Sequence, residues 1–142
     1  MKLLFTLSLS TIILLSSCKK DDPDPASCAL CTANIVGSYK VTSMLYKQDA
    51  SSPEFEYCSF LEDCEKDDIY CFNVNNVFIK SEGLSACSPA NEDNGNWSFD
   101  GSSLNLEGKP GVVTDFSCTV FKVKFDLNST VGESLKYTFT RQ

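Results

Sequence analysis

Histidine is missing from the chain altogether. That removes the side chain that most often serves as a general base near neutral pH and most often ligates a metal. Ser-His-Asp and Cys-His arrangements and His-containing zinc sites are thereby excluded. A Gly-x-Ser-x-Gly elbow and a phosphate-binding Gly-Lys loop are also missing. Bases are few: 12 Lys and Arg against 19 Asp and Glu give a formal charge of −7. An acidic surface repels nucleic acid and anionic head groups, so no nucleic-acid partner is expected. No apolar run reaches the roughly 20 residues that a helix needs to cross a bilayer. Carboxylate pairs are left as a route to catalysis, but no spacing singles one out, and the chain reads as a non-enzyme without a cofactor.

What is present begins with an export signal. Met1-Lys2 is a short positive head, Leu3 to Leu15 an apolar stretch broken only by Ser and Thr, and Ser16-Ser17 the small residues a signal peptidase requires. Leu15-Ser16-Ser17-Cys18 resembles the bacterial lipobox, with Leu at −3, small residues at −2 and −1 and Cys at +1. The resemblance implies diacylation of the Cys18 sulfur, cleavage before that residue and acylation of the new amine, so that residues 1–17 are a cleaved lipoprotein signal. Each buried methylene contributes about 0.8 kcal/mol, and three chains hold the protein to membrane lipid effectively for good. Lys20-Asp21-Asp22 resembles the Lys followed by two acids that marks surface-exported lipoproteins of Bacteroidetes. That implies an outer-membrane protein exposed at the cell surface.

Residues 18–33 then carry Cys18 and an acidic, Pro-rich tether, Asp22-Pro23-Asp24-Pro25 favouring an extended spacer. Removing residues 1–17 deletes one charged residue, Lys2, so the formal charge moves from −7 to −8. The mature chain is long enough for one domain with a real core, placed at residues 34–142.

Within that domain the apolar residues alternate. From Ile35, Tyr39, Val41 and Leu45 fall on one face and Lys40 and Thr42 on the other, the period of a half-buried strand. Glu54 to Tyr57 suggests a short second strand, and the acid-rich stretch Leu61 to Asp68 a tight helical turn or loop. Ile69 to Val74 and Val77 to Lys80 flank Asn75-Asn76, which suits a two-residue hairpin turn. Trp97-Ser98-Phe99 and Leu104-Asn105-Leu106 flank Asp100-Gly101, a second such signal. After Gly108-Lys109-Pro110-Gly111 comes a long strand region, Val112 to Leu127, where Phe121, Val123, Phe125 and Leu127 alternate with Lys122, Lys124 and Asp126. Leu135, Tyr137 and Phe139 point inward on the last strand. About eight short strands without a convincing amphipathic helix make an all-β antiparallel meander, which sheds its exposed edges by closing into a barrel.

Ile35-Val36-Gly37-Ser38-Tyr39-Lys40-Val41, Cys64 to Phe72, Glu82-Gly83 to Cys87, Gly95 to Phe99 and Leu135 to Phe139, in this order and spacing, resemble the lipocalin-like lipoprotein domains of Bacteroidetes over roughly residues 33–142. Lipocalins proper carry Gly-x-Trp on the first strand, where this chain has Gly37-Ser38-Tyr39. The resemblance implies a small up-and-down barrel that binds a small apolar or amphipathic ligand. Tyr39, Tyr70, Phe72, Trp97, Phe99, Phe121, Phe125, Tyr137 and Phe139 either line such a cavity or fill the barrel solidly. In the filled case the domain becomes an interaction module docking on a membrane complex or host protein through its loops.

Cys18 aside, seven cysteines remain, an odd number, in a protein bound for an oxidising compartment. The resembling domains imply a disulfide between Cys64 and Cys87. Cys28-Ala29-Leu30-Cys31 is spaced like a redox pair, but such a pair normally opens a helix. Here it lies between a tether and a strand, and reads as a staple to the barrel through Cys58, Cys71 or Cys118. The acids from Asp63 to Asp68 fail as an EF-type calcium loop, because Asp68 stands where Gly is needed and Val74 where Glu is needed.

Overall fold

Alternating apolar residues close on themselves. In the computed structural model, which describes residues 28–90 and 92–142, nine antiparallel strands run as β1 (Gly37–Lys47), β2 (Phe55–Glu56), β3 (Ile69–Phe72), β4 (Val77–Ser81), β5 (Asp93–Phe99), β6 (Ser103–Leu106), β7 (Lys109–Phe116), β8 (Val120–Asn128) and β9 (Glu133–Arg141). Consecutive strands from β3 to β9 pair as neighbours, and β1 pairs with both β3 and β9. Eight strands thus form a closed up-and-down barrel, and β2 is a short flap on β1. Two helical turns stand outside the wall, α1 (Thr32–Ile35) and α2 (Asp63–Lys66), with a 3₁₀ turn at Tyr57–Phe60. The signal, Cys18 and most of the tether lie outside the described residues.

Several local expectations change. Ile35 belongs to α1 and not to a strand; it is fully buried and plugs one end of the barrel. In β1 the pairing with β9 slips between Val41 and Ser43. One extra residue there sends the next side chain to the opposite face. Inward alternation therefore moves from Tyr39 and Val41 to Met44, which is buried, while Leu45 is half-buried. The β3–β4 connection is longer than two residues. Phe72 faces Phe78, Asn76 N–H donates to the Asn73 carbonyl at 3.1 Å, and Asn76 takes the left-handed conformation. That leaves Val74 in the turn, exposed.

The strand region expected from Val112 opens earlier, at Lys109. Glu107 and Gly108 both have positive φ and make the two-residue hairpin turn that matches strand twist, so Pro110 and Gly111 lie in β7. Gly111 is there for space: a Cβ would stand 2.6 Å from the Phe125 ring. The long region from Val112 to Leu127 is two strands, turned at residues 117–119, and Leu127 is half exposed.

The barrel has two unlike ends. One is formed by α1, the β3–β4, β5–β6 and β7–β8 turns and the end of β9, and it is packed solid. Tyr39, Phe72, Trp97, Phe121 and Phe139 are each 1% exposed. Their rings meet mostly edge to face, Tyr39 to Phe121 at 4.9 Å and Phe72 to Trp97 at 5.4 Å, the arrangement favoured by ring quadrupoles. Trp97 Nε1 donates to the Asn73 carbonyl at 3.0 Å.

Arg141 caps this end. Its Nη2 donates to the Tyr39 hydroxyl and the Asn34 carbonyl, both at 2.6 Å, Nη1 to the Val36 carbonyl at 3.1 Å and Nε to the Cys118 carbonyl at 3.0 Å. The guanidinium also lies 4.9 Å from the Tyr39 ring centre, a cation–π distance. Gly37, at φ +151°, makes room for it, since a Cβ there would run into the Arg141 guanidinium. The disulfide Cys28–Cys118 ties the N-terminal segment to the β7–β8 turn at this end. Of the three partners considered for the Cys28-Cys31 pair, Cys118 is the one used, and by Cys28.

Candidate functional site

The opposite end is open. It is built by the ends of β1, β4 and β8, the flap β2, the 3₁₀ turn, α2 and the loop after β4. These excursions are rigidified by local chemistry. Glu62 and Glu65 form a capping box on α2, in which each side chain accepts from the other's backbone N–H. The disulfide Cys64–Cys87 ties α2 to the loop after β4. Asp67 Oδ2 accepts from the Leu84 and Ser85 N–H groups at 2.8 and 2.9 Å. Glu56 on β2 accepts from Ser43 Oγ at 2.6 Å, Met44 N at 2.8 Å and Cys58 N at 3.1 Å. Burial alone would raise its pKa; these donors outweigh burial and hold the carboxyl below its ordinary value.

Beneath this rim lies a two-lobed cavity. The outer lobe, about 570 Å³, is lined by Met44, Tyr46, Tyr57, Leu61, Glu65, Tyr70, Lys80, Leu127, Leu135 and Tyr137. The inner lobe, about 370 Å³, runs down to Phe78, Leu106, Phe125 and Phe139, with Asp93, Glu107 and Lys109 at its edge. Tyr70, Lys80, Leu127, Leu135 and Tyr137 border both lobes and form a waist between them. Each lobe falls in the size range of small-molecule sites. Phe55 and Phe60 extend the apolar surface outward, their rings 6.1 Å apart and Phe55 5.3 Å from Tyr46; Phe60 is 71% exposed.

The waist concentrates the polar groups. Tyr70 and Lys80 face each other across the β3–β4 ladder. Lys80 Nζ is 2.9 Å from Asp68 Oδ2, and the Asp68 side chain is fully buried. Neither Asp68 oxygen is in hydrogen-bonding geometry, so this is a charge contact and not an aligned hydrogen bond. Burial, then the proximity of Tyr137 and Asp68, push the Tyr70 phenol well above its ordinary range. Burial likewise raises Tyr137. Both stay neutral hydrogen-bond donors at any physiological pH. Tyr46 is raised as well, by donating to Glu133 Oε1 at 2.6 Å.

Nine aromatic residues were candidates for a cavity lining, and the structure divides them. Tyr70, Phe125, Tyr137 and Phe139 line the cavity. Tyr39, Phe72, Trp97 and Phe121 fill the closed end instead, and Phe99 packs half-buried against that core. The interior is therefore solid at one end and hollow at the other. Sequence reading missed Met44 and Tyr46, which the bulge turns inward, Tyr57 and Leu61 on the excursions, and Lys80. Lys80 had a signal, since it shares the inward parity of Phe78 on β4.

Among the described residues, three cysteines form no disulfide: Cys31, exposed, and Cys58 and Cys71, half-buried. Burial, then the Glu56 carboxylate, push the Cys58 thiol up to about 11, and Cys71 Sγ lies 3.3 Å from Ser38 Oγ. Among the described residues, no three His, Cys, Asp or Glu side chains gather as a metal site.

Residues 35–124 match the family model described as a lipocalin-like domain. No curated protein and no solved structure matches the chain.

Proposed function

Since the chain belongs to the lipocalin-like domain family, we propose that it is a lipid-anchored protein of the outer membrane, displayed at the cell surface, whose barrel binds a small apolar or amphipathic molecule without transforming it. The observation that carries this reading is the open-end cavity, with its apolar walls, its few convergent polar groups at the waist and its apolar rim. A non-catalytic role is supported by the waist itself. Its phenols are held neutral, and its one buried carboxylate faces a lysine rather than a second carboxylate at a different pKa. Docking through a filled barrel loses its premise at the hollow end.

The anchor rests on Leu15-Ser16-Ser17-Cys18 and surface display on Lys20-Asp21-Asp22. Changing Cys18→Ala is expected to move the protein to the soluble fraction; a variant that stays with the membrane refutes the anchor. For the cavity, native mass spectrometry of the protein from its own envelope is expected to show an added mass that organic extraction removes. Failure of every apolar probe to bind would refute the carrier reading.

A further inference from the structure

The waist limits what kind of amphiphile fits. The Tyr70 and Tyr137 side chains border both lobes, and among the described residues neither hydroxyl has a hydrogen-bond partner. A polar group left so in a largely apolar cavity is unsatisfied until a ligand or water meets it. Both hydroxyls can donate to a carbonyl oxygen. Beside them stands Lys80, but its charge is already matched by Asp68, fully buried behind it. Further acids, Glu65, Asp93 and Glu107, line the lobes against one further base, Lys109. A ligand carboxylate at the waist would therefore add an uncompensated negative charge beside the buried phenols of a site whose lining already carries more acids than bases, whereas a neutral acceptor would add none.

Resting on the carrier reading above, we propose that the cavity selects a neutral amphiphile whose ester or ketone carbonyl is held at the waist by the Tyr70 and Tyr137 hydroxyls, with apolar parts in both lobes, and discriminates against the free carboxylate of the same chain. Lys80 and Asp68 act as a neutral wall, and Asp68 sets the selectivity without touching the ligand.

The test uses the full chain as its Cys18→Ala variant, so that no detergent competes. Methyl decanoate, decanoate and decane each displace the neutral dye N-phenyl-1-naphthylamine, followed by fluorescence. Methyl decanoate is expected to bind most tightly. Replacing both phenols, Tyr70→Phe with Tyr137→Phe, is expected to weaken it about tenfold and leave decane unchanged. Asp68→Asn leaves Lys80 unbalanced and is expected to strengthen decanoate by roughly tenfold. If Asp68→Asn fails to fold, the phenol variant still decides.

Decanoate binding the parent as tightly as the ester overturns the inference, and so does a phenol variant that changes ester and alkane alike. Should neither the dye nor any of the three bind, the carrier reading falls first and this inference with it.

Discussion

Replacing Arg141 by Ala removes one side chain and takes a charged donor from four acceptors at the closed end. The carbonyls of Asn34, Val36 and Cys118 each lose a charged donor, and the Tyr39 hydroxyl loses one while keeping its own donation to the Ile35 carbonyl at 2.8 Å. Hydrogen bonds to a charged group contribute about 1.5–3 kcal/mol each when buried. Arg141 is only half-buried, so water replaces part of the loss, and the expected cost is about 3–5 kcal/mol, a large part of a typical domain's stability of about 5–15 kcal/mol. For a domain of this size that is a fall in Tm of about 12–20 °C.

The lone Trp97, buried in the same end, reports urea unfolding by fluorescence. Arg141→Lys keeps the charge but not the planar fork and is expected to recover less than half of the loss. A Tyr39→Phe and Arg141→Ala cycle should show coupling of about 1 kcal/mol or more. If Arg141→Ala stays within about 1 kcal/mol of the parent, or Lys substitutes fully, the closed end is not held as described.

The cavity can be blocked without disturbing the core. Leu135→Trp, at the border of both lobes, should cut dye binding more than tenfold while the unfolding midpoint moves little, and unchanged binding would place the ligand elsewhere. Opening Cys28–Cys118, which spans 90 residues, should cost about 4–5 kcal/mol, and opening Cys64–Cys87, which spans 23, about 3 kcal/mol; paired Ala variants in urea test the order. The Glu56 pKa is depressed from its ordinary value of 4.5, so its contribution is complete above that pH and lost as pH falls through the lower folded value. Glu56→Gln should flatten that part of the acid stability profile, and an unchanged slope refutes it. With its pKa at about 11, Cys58 should react with iodoacetamide far more slowly at pH 8 than Cys31, as peptide mapping would show.

Strand identity was legible where one face is apolar and the other charged. Phe121, Val123 and Phe125 between Lys122, Lys124 and Asp126 admit one reading, and β8 follows it. What alternation cannot carry is a count of two against one, so the slip after Val41 stayed hidden, and with it Met44 and Tyr46. Nor does a four-residue helical turn leave a periodic trace. Ile35-Val36 looks like strand because both are β-branched, yet tertiary burial of Ile35 decides otherwise. Nothing in a glutamate announces the left-handed backbone of Glu107. The division of the aromatics had a different cause: parity says a residue points inward but not how far along the barrel it stands. Phe72 sits opposite Gly37 at the packed end, while Tyr70, two residues earlier, sits opposite Lys80 at the waist. Height follows from register, which pairing fixes and single strands do not.

The bridge from Cys28 to Cys118 also decides how the molecule would hang. Whatever precedes residue 28 departs from the sealed base, so a leash fixed at Cys18 would hold the barrel like a cup by its foot, brim outward. Tension along that leash would pass through sulfur into the β7–β8 turn and bypass α1, leaving the brim unloaded. Were Cys18 the anchor, the brim of a cup held this way would lie at the end away from the attachment.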